Sequence, residues 1–180
     1  MANNAFYTRT EAQFFLMKIL ANEENKPSEA MPVARYLAAT FPDNAYFQRF
    51  YARECFVLGD MAELERVCGE ILNKLSRGMP GYEEISGRYA SYYLAYIYQH
   101  RKADFATAKL YYLQSIRFAR ATDEMKSGYT ISSYLNLARM ADKEKDYTTA
   151  RNYYKEVKGL AEAKSTAEKE AREYLKKKKN

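Results

Sequence analysis

The residue types that carry most covalent and metal chemistry are scarce in this chain. His100 is the one histidine, and spacing offers it no serine or cysteine partner of the kind nucleophilic catalysis needs. It falls near the end of a predicted helix and reads as an exposed polar side chain. Cys55 and Cys68 are the two thiols. Two cysteines make neither a disulfide framework nor a zinc site, so both read as small apolar core residues. The carboxylates are scattered over helix starts and exposed faces, where they cap and solvate. A glycine-rich phosphate loop, a His-Glu-x-x-His helix and an Asp-x-Asp calcium loop are all missing from the sequence. The expectation is a chain that is not an enzyme, with no catalytic, cofactor-binding or metal-binding residues.

Aromatic residues are the abundant functional type: 18 Tyr and 9 Phe, but no Trp. Tyr92-Tyr93 with Tyr96 and Tyr98, Tyr111-Tyr112, and Tyr153-Tyr154 form clusters. Such rings can stack on nucleic-acid bases, or they can fill space between packed helices. Charge disfavours the first use. The net charge is +6. From Lys164 onward, however, the chain holds Lys164, Lys169, Arg172 and Lys176 to Lys179 against Glu168, Glu170 and Glu173. The rest is nearly balanced, and a terminal lysine run reads as a solvated end and not as a nucleic-acid stripe.

A 47% hydrophobic and 29% charged composition is that of a folded chain, and 180 residues suit a single domain, 1–180. Glycine and proline are too few, at 7 and 4, for the turns of a β-sandwich or barrel. Apolar residues recur at helical period and not in strict alternation. Thr8 with Glu11, Asp60 with Glu63 and Ser165 with Glu168 have capping-box spacing. Pro27, Pro42 and Pro80 separate apolar runs, and Gly78 and Gly81 flank the last. Helices are expected near 6–22, 28–40, 44–58, 60–76, 83–101, 104–121, 126–143, 146–162 and 166–178. The first eight make four antiparallel pairs, near 6–42, 43–77, 83–121 and 126–162, and a capping helix covers 165–179.

The pairs are alike internally. The last reads Tyr134-x2-Leu137-Ala138-x2-Ala141, Asp146-Tyr147-x2-Ala150, Tyr153-Tyr154-x2-Val157. The third reads Leu94-Ala95-x2-Tyr98, Asp104-Phe105-x2-Ala108, Tyr111-Tyr112-x2-Ser115, with one extra residue in its inner turn. The second has Tyr51-Ala52-x2-Cys55, Gly59-Asp60-Met61-x2-Leu64, then Cys68 and Ile71. The first is the weakest: Leu16-Met17-x2-Leu20, Pro27-x2-Ala30, Leu37 and Pro42. This pattern resembles the tetratricopeptide repeat family over about residues 8–162, although the central positions are spaced wider than the family's period of about 34. The resemblance implies an all-α, right-handed superhelix of about four helix-turn-helix repeats. It also implies that Tyr98, Tyr112, Tyr134, Tyr147 and Tyr154 are buried.

In that family the first helix of each pair lines a concave groove at fixed offsets from its central residue. Those offsets fall on Glu11, Phe14 and Lys18, then Tyr46, Arg49, Arg53 and Phe56, then Tyr89, Tyr92, Tyr96 and Gln99, then Ser132, Leu135, Arg139 and Asp142. Aromatics beside arginines are the residue types that dominate binding hot spots. The resemblance thus implies a scaffold that holds a peptide of acidic character in a Tyr/Arg-lined groove. The clamp with which chaperone-binding members hold a C-terminal carboxylate is not matched: Lys18 fits one basic position, but Phe50 stands where an asparagine is expected. The alternatives are a single-stranded RNA-binding repeat protein and the recruiting domain of a larger enzyme. A monomer or weak homodimer is expected. No run approaches a membrane span, and without a signal peptide the default compartment is the cytoplasm. A periplasmic or envelope-associated placement follows if the chain is a fragment.

Overall fold

A computed structural model describes residues 2–177, with side chains from Thr8 onward. Among these residues every regular element is helical and no strand occurs, so the chain is all-α. The elements are α1 (Ala2–Lys18), continued by a π-helical turn (Ile19–Glu23), α2 (Pro27–Thr40), α3 (Ala45–Leu58), α4 (Met61–Ser76), α5 (Glu84–His100), α6 (Phe105–Ala121), α7 (Gly128–Lys143), α8 (Tyr147–Leu160) and α9 (Thr166–Lys177). The expected capping helix runs past Lys177 to 179, and its final residues lie outside the described ones. No described helix is long and apolar enough to cross a membrane.

The helices form two compact units, one up to Ser86 and one from Gly87, divided within the first turn of α5. In the first unit α1 packs on α2, α2 on α3 and α3 on α4. In the second, α5 meets α6 through the rings of Tyr98 and Tyr111, 5.6 Å apart, α6 packs on α7, α7 on α8, and α9 on both α7 and α8.

Three inner turns are built alike, and local chemistry explains why. Each first helix is followed by a residue with left-handed backbone: Gly59 (φ 80°), Ala103 (φ 54°) and Lys145 (φ 64°). An aspartate follows at once and caps the second helix. Asp60 accepts from the Glu63 N–H at 3.2 Å, Asp104 from Thr107 at 3.0 Å and Asp146 from Thr149 at 3.0 Å. The N–H of Asp60 returns to the Cys55 carbonyl and that of Asp146 to Ala141, whereas Asp104 reaches one residue farther back, to Tyr98. That is the extra residue visible in the sequence of the third pair.

The small residues that the pairs share are buried. Ala52 is 1% exposed, and Ala95, Ala108, Ala138 and Ala150 are fully buried. Around Ala95, Ala108 and Ala138, the residues Tyr112, Ile116, Tyr134, Leu137, Tyr154 and Val157 build the core of the second unit. A wider side chain at the alanines would push apart backbones that pack at organic-crystal density.

The first pair departs from expectation. α1 starts at Ala2, so Thr8 lies inside the helix and cannot be its cap. Leu16, read as the central core position, is 46% exposed, and Met17 is fully buried instead. The π-helical turn then widens the last turn of α1. It closes with Glu24 N–H on the Ile19 carbonyl (3.0 Å) and Lys26 N–H on Leu20 (2.7 Å). Tyr147, expected in the core, is 47% exposed because it is the first helical residue after the Asp146 cap and projects from the helix end. Tyr98 is half-buried.

Candidate functional site

Of the groove residues, Phe14, Lys18, Tyr46, Arg49, Arg53 and Phe56 belong to the first unit. Phe14 and the exposed Tyr46 line an open hollow of about 460 Å³ together with Thr10, Glu11, Asn44 and Phe47. The Phe14 ring lies 5.5 Å from Tyr46, and the Lys18 ammonium is 5.5 Å above Phe14. The two arginines are largely engaged inside the unit. Arg49 donates to the Ser86 hydroxyl at 2.7 Å, and its guanidinium lies 5.8 Å from the Tyr46 ring. Arg53 donates to the Asn22 side chain at 2.6 Å and lies 5.4 Å over Phe50. Phe56 is half-buried on α3.

The others belong to the second unit, and the structure treats them unequally. Tyr89 and Tyr92 pack on Tyr129 of α7, at 4.5 and 5.1 Å, and Tyr92 also lies against Tyr112. Partial burial holds the Tyr92 phenol above its ordinary pKa. Leu135 is half-buried against the core. The Tyr96 ring lies tilted against His100, with centroids 4.4 Å apart. Gln99 and Arg139 face a cleft of about 690 Å³ between α5 and α7.

That cleft is completed by His100, Phe105, Asn136, Met140, Lys143 and Glu144. None of these was a sequence candidate, because they come from three helices and are assembled by folding alone. Gln99 is positioned by the buried Tyr112 hydroxyl, which donates to its Oε1 at 2.7 Å. Arg139 is gripped by a fork: its Nε and Nη2 donate to the Glu170 carboxylate of α9 at 2.8 and 2.5 Å. The fork holds Glu170 below the usual carboxylate range. Lys143 carries its ammonium 5.8 Å from the Phe105 ring, and Glu144 accepts from Lys109 at 2.5 Å. Partial burial, with Arg101 and Arg139 nearby, lowers the His100 pKa from its ordinary value. The cleft is thus an apolar trough with amides and charged groups of both signs on its wall.

A second polar cavity, of about 480 Å³, lies among α2, α3 and α4. Here Arg35 donates to the Tyr51 hydroxyl at 3.3 Å, and Tyr51 donates to Glu63 at 3.0 Å. Arg66 forks onto Glu63 at 2.9 and 2.6 Å and reaches Glu70 at 2.6 Å. Burial pushes the Tyr51 phenol up to about 12. The network satisfies itself and ties the three helices together.

Cys55 and Cys68 are buried free thiols. Among the described residues no group of three or more His, Cys, Asp and Glu side chains is placed to hold a metal ion. No protein-family model matches the chain, and no curated protein matches it in sequence.

Proposed function

We propose that the helix pairs are tetratricopeptide-type repeats, stacked within each unit in that family's right-handed sense, and that the chain is a non-enzymatic scaffold that binds a peptide segment of acidic character. The observation that carries the reading is the trough between α5 and α7, where Gln99 and Arg139 meet Lys143 and the Phe105 ring. Its volume of about 690 Å³ suits a few side chains of an extended or helical segment. The apolar floor supplies contact area. The Lys143 ammonium attracts a carboxylate and steers its approach. The hollow beside Phe14 and Tyr46 in the first unit has the same aromatic-plus-cation character.

The test is selection of peptides from an array on the intact chain, followed by calorimetric titration of the enriched peptide. Enriched sequences carry Asp or Glu beside an apolar anchor. Lys143→Ala combined with Gln99→Ala weakens binding at least tenfold while leaving the circular dichroism unchanged. Enrichment of sequences without carboxylates, or unaltered affinity in the double variant, contradicts the assignment.

A further inference from the structure

The apolar stripe on α1 lies outside both the trough and the hollow. Ala12, Phe15, Leu16 and Ile19 recur at the three- and four-residue spacing of one helix face. Phe15 and Leu16 of α1 and Ile19 at the start of the π-helical turn are 51%, 46% and 39% exposed, whereas Met17, Leu20 and Ala21 beside them in sequence are buried. Scattered apolar residues on a surface need no explanation, but three large ones in a continuous stripe on one helix do.

The charges at the two ends of the stripe indicate what covers it. Arg9 lies on the N-terminal side in α1 and Glu23 on the C-terminal side at the end of the π-helical turn, both exposed and equally far from Leu16 along the sequence. A helix with a cation at one end of its apolar face and an anion at the other is complementary to itself when turned antiparallel. We propose that this face of α1 is a homodimer interface, in which the α1 helices of two copies cross antiparallel about a two-fold axis near Leu16. Phe15 and Leu16 of one copy then meet those of the other, Ala12 faces Ile19, and Arg9 approaches Glu23 of the second copy. The arrangement is isologous, so one patch serves both subunits and the assembly closes at two. The stripe spans only about two helical turns, which makes the dimer weak and concentration-dependent. It leaves the trough of the second unit uninvolved in the contact.

Sedimentation velocity on the full chain over a concentration series tests this. The wild type shifts from monomer to dimer as concentration rises. Ile19→Glu, an exposed change that leaves the helical circular dichroism intact, keeps the chain monomeric throughout. Arg9→Glu and Glu23→Arg each weaken dimerisation at least fivefold, and the two together restore it. A wild type that stays monomeric at the highest concentration overturns the proposal and assigns the stripe to a different partner. A dimer indifferent to Ile19→Glu, or charge variants without mutual rescue, overturns it as well.

Discussion

Glu54 is 1% exposed in the middle of α3, and neither of its carboxylate oxygens accepts a hydrogen bond. The Arg53 guanidinium lies 3.5 Å from one oxygen, but its short contact is with Asn22. A buried polar group left without hydrogen bonds costs about 1–3 kcal/mol, and the cost is greater when the group is charged. Glu54→Met keeps the volume, removes the charge and retains a good helix former. A gain of about 2 kcal/mol follows. At about 2–4 °C per kcal/mol for a chain of this size, Tm rises by about 4–8 °C. The gain depends on pH. Burial raises the Glu54 carboxyl above its ordinary value, with Arg53 opposing. The folded state therefore holds that proton more tightly than the unfolded state does. Wild-type stability from this group is greatest below the ordinary carboxylate pKa of about 4.3 and falls as pH rises through the raised folded value. Methionine does not titrate. The advantage of the variant is therefore widest near about pH 7.5 and shrinks toward about pH 4.5. Thermal unfolding at both pH values reads this directly. A variant no more stable than wild type near neutrality, or an advantage that grows in acid, refutes the assignment of Glu54 as an uncompensated buried carboxylate.

Two further outcomes concern local parts of the fold. Asn44 caps α3 by accepting from the N–H groups of Tyr46 and Phe47 at 3.0 and 3.2 Å, so Asn44→Ala lowers unfolding free energy by about 1 kcal/mol and Asn44→Ser by much less. Cys55 and Cys68 are fully buried, and burial pushes the Cys55 thiol up to about 12 and raises Cys68 as well. Neither reacts with Ellman's reagent in the native chain under mildly alkaline conditions, and both react once it is unfolded in guanidinium.

The helices were legible because their ends carry local chemistry. Asp60 and Ser165 cap as their spacing to Glu63 and Glu168 indicates, with Ser165 accepting the Glu168 N–H at 3.2 Å. The alanines were legible because a small residue at the same place in both helices of the last two pairs has one steric use. The register of the first pair was not. Leu16 and Met17 are both apolar and adjacent, so spacing alone fits either inward, and the choice is made by α2, onto which α1 packs. Thr8 misled because its spacing to Glu11 is a cap signal only when the residues before it leave the helix, and here they do not. Two residues of the trough, Gln99 and Arg139, were readable as offsets along single helices. The rest of its lining, with His100, Phe105, Asn136 and Lys143, comes together only where α5, α6 and α7 meet. The same holds for Tyr92, whose partial burial comes from Tyr129, one helix pair away in sequence.

The central claim is that the α5–α7 trough is where a peptide docks. Titrating the isotope-labelled chain with an array-selected acidic peptide and mapping the amide shifts tests it most directly. The largest changes are predicted at Gln99, His100, Asn136, Arg139 and Lys143, with little movement along the outer face of α6. Saturating shifts that leave those five residues in place and gather elsewhere would contradict it.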